Sequence, residues 1–159
     1  MSEIYYYIAR KDHQPGELLG GGNFGRGYRE YCYDINTSQG AFNGWKIAKE
    51  VIFEIIRAKH YPTLPSRLEC SYAYLTHEAA LSGFVPNQGL FAFEVEVKDL
   101  LAPSHIGDFT LLNSENNPGA SEPFIPWVEN TAHTYWSGHA PQVPELLTLS
   151  AIKVVRRIA

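Results

Sequence analysis

Pro144-Glu145-Leu146-Leu147-Thr148-Leu149-Ser150-Ala151-Ile152-Lys153-Val154-Val155 sets one carboxylate, Glu145, at the head of an apolar run. The run reads as a strand opening at Glu145, followed by a last strand over 152–158. A glutamate at a strand start is by itself most often an exposed edge residue. It becomes a chemical group in a site only if Tyr5-Tyr6-Tyr7 and Tyr72-Ala73-Tyr74, far upstream, fold beside it.

With 159 residues the chain has room for one domain over 1–159 with a real core, and too few for two ordinary ones. Hydrophobic residues make up 45% and charged residues 19%, which excludes a disordered chain. Aromatics reach 13%, an excess that suits stacking surfaces as well as core. The formal net charge of -4 argues against a generic polyanion binder but leaves room for a local basic patch. Met1-Ser2-Glu3-Ile4-Tyr5 does not read as a secretory signal, and no apolar run approaches membrane-spanning length. Cys32 and Cys70 have no paired spacing. Reduced cysteines in a cytoplasmic protein, away from membranes, are the expectation.

Outward from Glu145, the pattern alternates strands with few helices. Residues 4–9 read as an aromatic and branched strand, and 11–27 as a glycine-rich loop. The clearest helix is 45–60. Its apolar stripe is Ala48, Val51, Ile52, Ile55 and Ile56, and Lys46, Lys49, Glu50, Glu54 and Arg57 fill the other side. Pro62 and Pro65 end it. Residues 70–75 read as a strand with Tyr72 and Tyr74 on one face. Thr76 caps a short helix through Leu81, stopped by Gly83. Residues 90–97 alternate as a strand, 108–112 suggest another, 113–126 a polar loop, and 130–136 a short helix ended by Gly138. Many short strands, one main helix and short helices together suggest an α+β fold.

Several motifs invite specific chemistry. Gly20-x-Gly22-x-x-Gly25 has dinucleotide-loop spacing, but a long loop precedes it and no βαβ pattern surrounds it, so a flexible loop is the better reading. Asn23-Phe24-Gly25 still can border a ligand. The six histidines show no ligand spacing, so no metal is expected. No Gly-x-Ser-x-Gly elbow is present. Cys70 reads as a buried, inert thiol rather than half of a cysteine–histidine pair. Arg67 can bind a phosphate or pair with Glu54 or Glu50; pairing is favoured. Tyr72 and Tyr74 can be core or a stacking platform, and Trp136 reads as packing.

Taken in order, these segments resemble the ADP-ribosyltransferase superfamily. Tyr7-Ile8-Ala9-Arg10 stands where its first motif lies. His13 to Leu19 with Asn23-Phe24-Gly25 is similar to the loop of the small rifampin-modifying transferases. Ser71 to Thr76 followed by His77-Glu78-Ala79-Ala80 resembles the central strand and its helix. Glu145 to Thr148 with Ile152 to Val155 resembles the glutamate strand of the poly-ADP-ribose-polymerase-like branch. A likeness spanning nearly the whole chain is to a bacterial domain-of-unknown-function family grouped there, through the opening segment, Pro65-Ser66-Arg67 and Tyr135-Trp136-Ser137-Gly138. Two departures stand out. Tyr7 replaces the usual histidine, and Val143 replaces the Gln or Glu two residues before the catalytic carboxylate, which argues against arginine or asparagine acceptors.

The resemblance implies an ADP-ribosyltransferase-like split β-sandwich and an NAD-consuming glycosyltransferase. Glu145 would stabilise charge on the ribose. Tyr72 and Tyr74 would hold the nicotinamide, with Tyr74 the first choice for stacking. The Ile8 backbone, beside Ala9, would pair with the carboxamide. Tyr7 would reach the adenosine ribose, Asn23 and Phe24 would border the ligand, and Arg10 or Arg67 would neutralise the pyrophosphate. The acceptor would be RNA, DNA, protein or a small molecule, as in toxins and antiphage effectors, with a cognate inhibitor protein as a partner by analogy. An NAD glycohydrolase, a degenerate nucleotide-binding module without catalysis, and an aromatic lipid, flavin or sugar pocket are the alternatives.

Overall fold

β-branched and aromatic residues in period-two alternation build most of the sheet. Phe91, Phe93 and Val95 alternate along β4 (Phe91–Val97), which lies between β1 (Ile4–Ala9) and β7 (Ile152–Arg157). The structure, a computed structural model, describes residues 3–32, 38–82, 88–112, 116 and 118–159. The remaining strands are β2 (Leu18–Leu19), β3 (Ser71–Tyr74), β5 (Ser104–Asp108) and β6 (Pro144–Thr148). They form one seven-stranded sheet in the order β2-β7-β4-β1-β3-β6-β5, with every pairing antiparallel. The helices among the described residues are α1 (Asn23–Arg29), α2 (Ser38–His60), α3 (His77–Leu81) and α4 (Phe124–Ser137), plus a 3₁₀ turn over Phe109–Leu112. The fold is α+β.

Two cores follow from the alternation. On one face of the curled sheet Tyr5, Ala73, Phe93, Leu146 and Val154 pack on one another. On the other, α2 and α4 cover β3 and β6, burying Phe53, Ile56, Val128, Tyr135, Trp136 and Leu147. Trp136 Nε1 donates to the Phe53 carbonyl at 2.9 Å, tying the two helices together.

Several expectations change. α4 is a second substantial helix, beginning at Phe124 instead of 130; Pro126 sits in its first turn, where no N–H is required. A further strand precedes Asp108 instead of following it. Asp108 accepts from Thr110 N and Oγ1, at 3.0 and 2.8 Å, and so bends the chain into the 3₁₀ turn. The stripe on α2 is misassigned: Val51 and Ile55 are 50% and 56% exposed, whereas Lys49 and Glu50 are buried. Thr76 does cap α3, accepting from Ala79 N at 3.1 Å. The expected stop at Gly83 and much of the 113–126 loop lie outside the described residues.

The glycine-rich segment is not all loop. β2 precedes Gly20-x-Gly22-x-x-Gly25 and α1 begins inside it at Asn23, yet β2 is an antiparallel strand, so no βαβ unit forms. Gly25 presses α1 against the Leu68 backbone, leaving no space for a Cβ. Intrinsic propensity favours alanine there by about 1 kcal/mol. We expect the reverse: Gly25→Ala destabilises by about 1–3 kcal/mol through overpacking, read by urea unfolding.

Candidate active site

β1 and β3 pair at a single position, Tyr6 with Tyr74. Where they part lies a cleft of about 290 Å³ lined by Tyr7, Ile8, Phe24, Arg67, Tyr72, Tyr74, Phe109 and Glu145. Glu145 reaches it because β6 lies next to β3 and sets Glu145 opposite Tyr74. The strand is internal, between β3 and β5, so the carboxylate is buried instead of standing at an edge.

A network of buried polar groups holds that carboxylate. Arg67 Nη1 donates to Glu145 Oε1, and Tyr135 OH donates to the same oxygen at 2.7 Å. Arg67 Nη1 also bonds Tyr135 OH at 2.8 Å. Arg67 Nε is shared between the two oxygens of Glu50, at 3.0 and 3.3 Å. Glu145 Oε2 has no hydrogen bond to a described residue. The Arg67 guanidinium lies 5.2–5.3 Å from the ring centres of Phe24, Tyr72 and Tyr135, a planar cation stacked among π-faces. Burial opposes its charge, but Glu50, Tyr135 and Glu145 outweigh burial and raise its pKa. Burial pushes the Glu50 carboxyl up, against the pull of Arg67.

Tyr135 reaches Glu145 because of a vacancy in the sheet. Gly107 on β5 faces Glu145 in register, and the ring of Tyr135 takes the space its side chain would fill. His105 Nε2, 3.0 Å from the Tyr135 carbonyl, must carry its proton to bond that oxygen. Burial lowers the His105 pKa and so favours the neutral ring. Upstream of Glu145, Asp108 accepts from Gln142 N at 3.0 Å and Val143 N at 3.2 Å. Burial raises the Asp108 pKa, but these bonds and those from Thr110 leave it below the ordinary value.

Most of the expected site residues meet at this cleft. Tyr7, Ile8, Phe24, Tyr72, Tyr74 and Glu145 line it. Tyr72 donates its hydroxyl to the Arg67 carbonyl and takes the edge of Phe24. Tyr74 meets the Phe109 ring at a near-perpendicular angle, and burial pushes its hydroxyl up to about 12. Arg10 and Asn23 border an outer, open hollow on the far side of Phe24. Ala9 does not line the cleft; it packs in the strand-only core. An annex behind Tyr7 and Tyr72 contains Ser71, whose buried Oγ has no hydrogen-bond partner among the described residues. Burial pushes the Cys70 thiol up to about 12, which disfavours the thiolate form. Glu50, Tyr135 and Phe109 were not among the expected site residues. The pairing of Arg67 with Glu50 or Glu54 was the favoured reading of the sequence, and Glu50 is the partner; nothing in the sequence signals Tyr135 beyond the Tyr-Trp-Ser-Gly motif.

Residues 30–159 match a family described as Protein of unknown function (DUF2441). The chain belongs to this family. The DUF2441 match includes Glu50, Arg67, Tyr72, Tyr74, Tyr135 and Glu145, whereas Tyr7, Ile8, Asn23 and Phe24 precede it. No curated protein matches the chain. No helix among the described residues is long and apolar enough to cross a membrane.

Two outcomes are expected. Arg67→Met leaves two buried carboxylates without their cation and costs about 3–5 kcal/mol, measured by denaturant unfolding. Asp108→Asn costs about 1–3 kcal/mol at neutral pH. Because the folded pKa of Asp108 lies below its unfolded value, its contribution is present above roughly pH 4 and is lost as pH falls through the folded pKa. The variant therefore shows a shallower loss of stability on acidification.

Proposed function

We propose that this protein is a mono-ADP-ribosyltransferase that takes ADP-ribose from NAD and passes it to a macromolecular acceptor. The observation that carries the reading is Glu145 at the parting of β1 and β3, in a cleft it shares with Tyr7, Tyr72 and Tyr74. An antiparallel sheet that splits around an aromatic cleft with one buried carboxylate suits the ADP-ribosyltransferase-like split β architecture that the sequence resembles.

In this reading the nicotinamide ring stacks on Tyr74, the tyrosine with the freer face, between β1 and β3. β1 no longer pairs with β3 at Ile8, so the backbone there is available to the carboxamide. The bond between ribose C1′ and the nicotinamide nitrogen breaks, and its electron pair leaves with the ring as neutral nicotinamide. Positive charge develops on the ribose. Glu145 Oε2 faces that charge and accepts the 2′-hydroxyl, while Oε1 stays fixed by Arg67 and Tyr135. An acceptor lone pair then closes the new bond at C1′ and releases its proton. Tyr7, Asn23 and Arg10 border the path that the adenosine half would follow outward.

Labelled NAD is incubated with purified protein and cell lysate, and the label is fractionated into protein, RNA, DNA and small molecules. Glu145→Gln keeps an oxygen for Arg67 and Tyr135, so the fold is retained, and the rate falls roughly a hundredfold to a thousandfold. Near wild-type transfer by this variant would remove Glu145 from the mechanism. Free ADP-ribose without a labelled acceptor would make the protein an NAD glycohydrolase instead. No nicotinamide release at all would make it a binding module.

A further inference from the structure

A second pocket, of about 210 Å³, opens on the other side of Arg67. It shares Phe24, Arg67 and Phe109 with the Glu145 cleft and adds Tyr28, Trp45, Lys49 and Glu50. We propose that this pocket is the acceptor subsite and that it takes a flat ring carrying an anionic group, a phosphate or a carboxylate. The word acceptor rests on the transferase reading; the anion-binding chemistry does not.

Three observations carry the proposal. The walls are aromatic: Phe24, Tyr28, Trp45 and Phe109 suit a flat ring. Glu50, the carboxylate lining the pocket, has both oxygens engaged by Arg67 and makes no hydrogen bond to Lys49. Finally, Lys49 is an ammonium without a carboxylate partner among the described residues. It is 3% exposed, donates one bond to the Asn116 carbonyl at 3.0 Å, and lies 5.2 and 5.4 Å from the ring centres of Trp45 and Trp127. A buried cation with protons to spare is expensive unless an anion joins it. Burial, with Arg67 as a like-charged neighbour, pulls its pKa down to about 8 in spite of Glu50. An incoming anion would relieve both effects.

Placement against the cleft assigns the role. Arg67 forms part of both chambers, so a ring held beside it lies next to the group that grips Glu145.

The test titrates phenyl phosphate into the full chain and follows fluorescence of Trp45 and Trp127, with phenol as the uncharged control. Saturable quenching by phenyl phosphate, at least tenfold weaker with phenol, is expected. Lys49→Met should weaken phenyl phosphate binding at least tenfold, and Lys49→Arg should retain it. Equal binding of phenol and phenyl phosphate by the wild-type chain overturns the anion site even when Lys49→Met fails to fold. Phenyl phosphate binding unaffected in a folded Lys49→Met protein also overturns it. Competition by NAD for the Lys49-dependent site would hand the pocket to the dinucleotide's own phosphates and overturn the acceptor assignment. Nicotinamide release is assayed separately. Release without phenyl phosphate binding sinks the subsite alone, whereas binding without release sinks the transferase reading and leaves the anion pocket standing.

Discussion

One buried guanidinium organises this molecule. Arg67 joins Glu50 on α2, Glu145 on β6 and Tyr135 on α4, so the helical layer and the sheet meet through a charge that none of them can release singly. Removing any partner would strand a charge or a hydroxyl away from water, where its desolvation goes uncompensated. With one cation against two carboxylates, Glu50 takes up much of the charge of Arg67. Glu145 is fixed through one oxygen, and the other has no hydrogen bond to a described residue. The same contact that holds the layers together sets the orientation of the group proposed to do chemistry.

The cleft itself is a consequence of strand pairing. β1 runs along β4 for six residues but meets β3 at one. The unpaired backbone that results would be a liability on a flat sheet edge; here it forms the wall of a chamber. Gly107 and Gly25 serve the chamber by their lack of a side chain. One makes room for Tyr135 next to Glu145, and the other lets α1 press Phe24 over Arg67. Phe24 then borders the cleft, the second pocket, the outer hollow and the annex, so a single ring lines four spaces.

Local pattern was a good guide wherever burial obeyed alternation. Phe91 to Val97, Tyr72 with Tyr74, Thr76 as a cap and Gly138 as a helix stop all stand as their residue types suggest. It misled where polar groups are buried with distant partners. Lys49 and Glu50 read as the solvent side of α2 because their partners, Asn116 and Arg67, are far along the chain. α1 escaped notice because its glycines lower helix propensity, though Gly25 is required by the contact with Leu68. The first turn of α4 was hidden by prolines that helices tolerate only there.

The sequence by itself determined the α+β class, most of the strands, the capped helix and the residue types of an aromatic cleft with one glutamate, because these depend on periodicity and on turn chemistry within a few residues. Tertiary structure alone decided that Glu145 is internal, that Tyr135 reaches it through the space left by Gly107, and that Lys49 and Glu50 face inward. Each of those outcomes depends on which strands are neighbours and on charges meeting across tens of residues, and no local pattern encodes a pairing between groups whose only link is the fold.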